Sequence, residues 1–157
     1  MKKIKIENLS EYFLKKSEED SEVAELLLKN RHYNEAIYFH CQSIEKKIKS
    51  EIYKRINPLN VKYEDYTHNH SLRKLMRLLI DVYVGDETTR IQMKKQTDIL
   101  LKKIGYLNLN SALRYPIYDD YKKCYMESCY TEKDYKEIVE VKYEQLRKYI
   151  EEIFKAI

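Results

Sequence analysis

Residues 31–55, RHYNEAIYFHCQSIEKKIKSEIYKR, decide the fold. Within them Ile37, Cys41, Ile44, Ile48 and Ile52 advance by 4, 3, 4 and 4 positions. That step keeps apolar side chains on one face of an α-helix. The pattern predicts a helix from about Asn34 to Arg55, ended at Asn57-Pro58 because the residue before a proline is pushed out of helical space. Ahead of it, Asn30-Arg31-His32-Tyr33-Asn34 is a short corner, so the preceding helix must lie antiparallel. That first helix is expected from about Ser10, as its cap, to Asn30, with Phe13, Ala24, Leu27 and Leu28 as an interrupted apolar stripe. Its middle, Ser17 to Glu22, is acidic and polar, which predicts a kink or a wetted segment.

Downstream, the same reasoning predicts three more helices. One begins near Asn69 to Ser71, faces inward through Leu72, Leu75, Met76 and Leu79, and breaks at Gly85-Asp86. The next runs from about Glu87 to Tyr106 with Ile91, Leu100, Leu101 and Ile104 as its apolar residues. The last is capped by Thr131, with Asp134 in the capping-box position. Its Val139, Tyr143, Leu146, Ile150, Ile153 and Ile157 step by 4, 3, 4, 3 and 4, a near-heptad spacing suited to packing along another long helix. Residues 107–131 are irregular and are expected to be functional or to carry a short helix. The expectation is an all-α, up-and-down bundle of about five helices, forming one domain over residues 1–157.

Composition agrees. The chain has two Gly and two Pro in 157 residues, too few turn-formers for a sandwich or barrel. Gly85 and Gly105 stand alone, which excludes a Gly-rich phosphate loop. An apolar content of 43% supports one core. The net charge of +4 is a weaker basic excess than dedicated nucleic-acid binders show. The 16 Tyr, against 3 Phe and no Trp, suggest amphipathic surfaces suited to a subunit interface. Cys41, Cys124 and Cys129 are odd in number and irregularly spaced, which points to a reducing cytoplasm rather than a disulfide scaffold. Cys124 and Cys129 have no second pair with which to bind zinc. The basic start, Met1 to Ile6, has no apolar run behind it, and no stretch approaches the roughly 18 apolar residues of a membrane span.

Four groups carry candidate chemistry. Gln42, Glu45 and Lys49 stack at i, i+3 and i+7 on one side of the second helix. They form either a solvated, salt-bridged stripe or a polar seam facing a cleft or a second subunit. His68 and His70 are close enough to share a metal in an extended segment, yet no other nearby His supplies a third ligand. His70 is therefore expected to cap or orient the start of the third helix. Arg114, in Arg114-Tyr115-Pro116, presents a guanidinium either to a phosphate, as a fixed fork, or to a helix C-terminus. The basic clusters Lys46-Lys47, Arg73-Lys74, Lys94-Lys95 and Lys102-Lys103 read mainly as solvated faces. No metal site and no cofactor is expected.

Several of these stretches resemble the HEPN-domain family. The carriers are Ala24-Glu25-Leu26-Leu27-Leu28, Arg31-His32-Tyr33-Asn34-Glu35-Ala36, the Gln-x-x-Glu-Lys-x-x-Lys pattern of Gln42 to Lys49, His70-Ser71-Leu72 and Arg114-Tyr115-Pro116. The resemblance covers about residues 8–150 and implies a dimeric helical bundle working around nucleotides or RNA. Family members include metal-independent ribonucleases, often toxins, and non-catalytic partners of a minimal nucleotidyltransferase. The nuclease group is marked by an Arg followed, after four to six residues, by a His. Here Arg114 is followed at those distances by Asp119, Asp120 and Tyr121. The expectation is therefore a non-catalytic, homodimeric module that binds a nucleotide, RNA or a nucleotidyltransferase. Its cleft would be built from Gln42, Glu45, Lys49, His70, Arg114 and Tyr115, with Arg114 and Lys49 on phosphate and Tyr115 stacked on a base. The alternative is an endoribonuclease with a displaced His, using Arg114 and His70.

Overall fold

A computed structural model describes residues 5–57, 59–60, 70–105, 113 and 117–155. The chain folds as helices α1 (Leu9–Lys29), α2 (Tyr33–Tyr53), α3 (Leu72–Tyr83), α4 (Glu87–Lys103) and a last helix, α5. Helix α5 is continuous but changes winding twice, through Glu132–Tyr135, a π stretch at Lys136–Tyr143, and Glu144–Lys155. The fold is all-α with a helical core, as expected. It carries one small addition, an antiparallel hairpin of β1 (Ile117–Asp119) and β2 (Cys124–Met126), paired Ile117 to Met126 and Asp119 to Cys124. Between α4 and α5 the described residues hold this hairpin and, at Leu113, one helical residue, where a functional segment or a short helix was expected. The turn forms because the Asp119 carboxylate accepts the backbone N–H groups of Tyr121 and Lys122, both at 3.0 Å, and Lys123 takes a left-handed φ of 52°.

Helices α1 and α2 make an antiparallel pair. Ser10 meets Ser50 (Oγ to Oγ 3.3 Å) and Ser17 meets Ser43 (3.1 Å), a register that sets the fully buried Ala24 opposite the fully buried Ala36. Small residues recur every seventh position on both helices, so the backbones approach closely. The Ser17 hydroxyl donates to the Ser43 carbonyl at 2.8 Å, and that of Ser50 to the Ser10 carbonyl at 2.8 Å. The polar run Ser17 to Glu22 is continuous α-helix and is not wet along its inner side. Ser17 and Asp20 are buried, and Asp20 takes an ion pair from Lys46. Ser10 is not the cap of α1; a 3₁₀ turn at Ile6–Asn8 leads in, and Ser10 lies within the helix.

The corner after α1 is a Schellman turn. The N–H of Arg31 bonds to the Leu28 carbonyl and that of His32 to the Leu27 carbonyl, both at 2.9 Å, with Arg31 at φ 62°. Helix α4 closes more conventionally, with Gly105 at φ 70° and its N–H on the Lys102 carbonyl. Asp86 caps the start of α4 by accepting Thr89 N–H at 2.7 Å. The capping box Thr131/Asp134 is complete at the start of α5.

The core joins α2 to α3, α4 and α5. Ile37, Ile48, Ile52, Leu75, Met76, Leu79, Leu101, Leu146 and Ile153 are all at most 2% exposed. The described stepping residues of α2, α3 and α5 face this core as their spacing required, and Ile157 lies outside the described residues. Helix α4 departs from expectation: Leu101 and Ile104 are buried, but Ile91 is 50% exposed. No described helix is long and apolar enough to cross a membrane.

Candidate functional site

The polar face of α2 is covered rather than solvated. Gln42, Glu45 and Lys49 are 8%, 4% and 6% exposed, which excludes the solvated-stripe alternative. The register that aims the apolar residues of α2 at the core turns this face beneath α1 and toward the start of α3. The Lys49 ammonium donates to Glu45 Oε1 at 3.0 Å and lies 5.9 Å from the centre of the Phe13 ring on α1. His70 Nδ1 lies 2.9 Å from the same Glu45 oxygen. Gln42 Nε2 is buried and has no hydrogen-bond partner among the described residues.

These contacts define a graded site. Lys49 and Glu45 sit at its dry end, and His70, with 62% of its side chain exposed, forms its mouth. A proton on Nδ1 lets the imidazole donate to Glu45 and leaves Nε2 as an acceptor. His70 stands one residue before Ser71, the N-cap of α3, and its ring nitrogen lies against Glu45 of α2. Dehydrating an ion pair costs more than the pair commonly returns, so stability alone does not account for this cluster. Lys49, expected on a phosphate, is held by Glu45. Arg114, Tyr115 and His68 lie outside the described residues. Among the described residues, no three His, Cys, Asp or Glu side chains converge to hold a metal ion.

Most other cations are matched locally. Arg73 grips Asp98 with two bonds of 2.7 Å and Arg77 joins it at 3.0 Å, which holds the Asp98 carboxyl below its usual range. Lys94 pairs with Asp81. His40, which the sequence did not single out for this role, bonds through Nε2 to the Tyr135 hydroxyl at 2.7 Å. Burial pushes the His40 pKa down and that of Tyr135 up. Cys41 bonds to the Tyr143 hydroxyl in the core. Cys124 and Cys129 are free and exposed. The α1–α2 seam was missed by the sequence reading, although its signal is there as Ser10, Ser17, Ala24 against Ala36, Ser43, Ser50, two series each seven residues apart.

The family model described as "HEPN domain" matches residues 10–157 of this chain. No curated protein and no solved structure matches it.

Proposed function

The chain belongs to the HEPN domain family, and on that premise we propose that it is a non-catalytic nucleotide- or RNA-binding module. In this reading residues 1–157 form one domain that works as a homodimer and partners a minimal nucleotidyltransferase. The carrying observation is the Asp119–Lys123 turn. The positions where a nuclease His would follow Arg114 are instead Asp119, whose carboxylate holds the turn, Asp120, ion-paired to Lys123, and the exposed Tyr121. Arg114 then supplies a phosphate fork, Tyr115 a stacking surface, and His70 Nε2 a polar contact at the mouth. Glu45, itself held by Lys49, positions His70 from below, with Gln42 on the same face of α2.

The second reading, a metal-independent ribonuclease, is favoured by the Glu45–His70 pair. A carboxylate holding Nδ1 fixes the tautomer and frees Nε2 for proton transfer. One experiment separates the two. Wild type, Arg114→Ala and His70→Ala are incubated with a labelled RNA pool in EDTA and run on native and denaturing gels. The expected outcome is intact RNA, shifted by wild type and released by Arg114→Ala or by added salt. Cleavage that His70→Ala abolishes would replace this proposal with the ribonuclease.

A further inference from the structure

An open groove of about 520 Å³ runs between α1 and α5, floored by α2 from His40 to Glu51. It shares none of Gln42, Glu45, Lys49 and His70 with the candidate site. Its floor spans about 16 Å at 1.5 Å per residue, three turns of helix. Leu14 on α1, Ile44 on α2, and Val139 and Phe154 on α5 line it and stay partly accessible, Leu14 at 37%. The π stretch of α5 forms part of one wall, through Val139 and Tyr143.

The charge of the groove opposes that of the chain. Its lining holds Glu18, Glu51, Glu144 and Glu151 against Lys47 and Arg147, two more acids than bases, in a protein of net +4. Arg147 is already bound bidentately to Glu144, at 2.9 and 2.8 Å. Glu18, on the α1 rim, has no ion pair among the described residues, and Glu151, on the α5 rim, sees Arg147 only at 4.0 Å. Lys47 is exposed, so its stem adds apolar wall while its head reaches water. Glu51 is matched by Lys54 at 2.6 Å, which leaves Glu18 and Glu151 as the rim acids open to a cationic partner.

We propose that this groove docks a cationic amphipathic helix from a partner protein. The partner's apolar side chains at i, i+4 and i+7 lie over Leu14, Ile44 and Val139, and its flanking Lys or Arg side chains reach Glu18 on one rim and Glu151 on the other. This assignment stands apart from the nucleotide reading, because it uses the opposite sign of charge and none of the candidate-site residues.

The test uses the full chain and two fluorescein-labelled 15-residue helical peptides. Both carry Leu at i, i+4, i+7 and i+11; one has Lys at the flanking positions and the other Glu. Anisotropy should show the Lys peptide binding about tenfold or more tighter than the Glu peptide. Glu18→Lys/Glu151→Lys changes only rim residues and should reverse the preference, and Ile44→Asp should weaken both peptides. Equal binding of the two peptides, or a preference unchanged in the double rim variant, overturns the proposal. Self-association of the wild type that the rim variant breaks also overturns it and assigns the groove to a second copy. RNA binding should be unchanged in the rim variant, so failure here and failure of the nucleotide reading are told apart.

Discussion

Glu45 accepts from both Lys49 and His70 with a side chain only 5% exposed. Removing it strands the Lys49 ammonium in a dry site. Glu45→Ala should cost about 3–5 kcal/mol. The double variant Glu45→Leu/Lys49→Met removes both charges and should recover most of that loss. Urea unfolding at constant slope measures both; a double variant less stable than the single would refute this account. His40 makes a separate prediction. Burial lowers its pKa from 6.5, outweighing the nearby Glu25, so the unfolded state binds the proton more readily. His40 therefore contributes stability that is present above pH 6.5 and is lost as pH falls toward the lowered folded value. Stability measured between pH 7 and 5 should decline on acidification, and His40→Gln should flatten that slope; an unchanged slope would show that His40 is not the titrating group.

At the scale of the elements, the α1–α2 seam sets how closely two helices approach. Ala36 is fully buried in the core, and the register of the seam sets it opposite the equally buried Ala24. Ala36→Leu should cost about 1–3 kcal/mol by overpacking, while Ala36→Ser, matching Ser43 and Ser50 along the stripe, should cost less. Thermal and chemical unfolding of the pair reads this out. The elements differ in how far their sequences disclosed them. Helix α2 was legible because Ile37 to Ile52 repeat at the helical period, and α5 because Thr131 and its apolar steps agree. The run Ser17 to Glu22 misled because polarity marks a residue's chemistry, not what covers it, and serines pack well at a close crossing. The same holds for Gln42, Glu45 and Lys49: spacing placed them on one face, but only the position of α1 and His70 decided that the face is dry. The hairpin was hidden because strands of three residues are too short for alternation to register. The π stretch was hidden because its Val139 to Tyr143 step of four is equally an α step.

For the whole molecule, one core links α2 to α3, α4 and α5, and α1 is locked onto α2. If residues 1–157 are a single domain, far-UV circular dichroism and tyrosine fluorescence should report one coincident unfolding transition. Separate midpoints would divide the chain into independent units. Among the described residues most ion pairs are surface pairs of small individual worth, so that transition should move little with moderate salt. The homodimer we propose should sediment at twice 19.2 kDa at micromolar concentration.

The winding of α5 has a consequence for lineage rather than for energy. A π stretch is an α-helix that has absorbed an extra residue between fixed ends. Here those ends are the Thr131/Asp134 box and the buried Leu146 and Ile150, and the stretch contains Val141, 52% exposed and off the core. Loss of that one codon would let the segment rewind to α geometry without disturbing either end. Changes in chain length among this protein's descendants should therefore gather at 136–143, where they reshape the wall of the groove and spare the bundle.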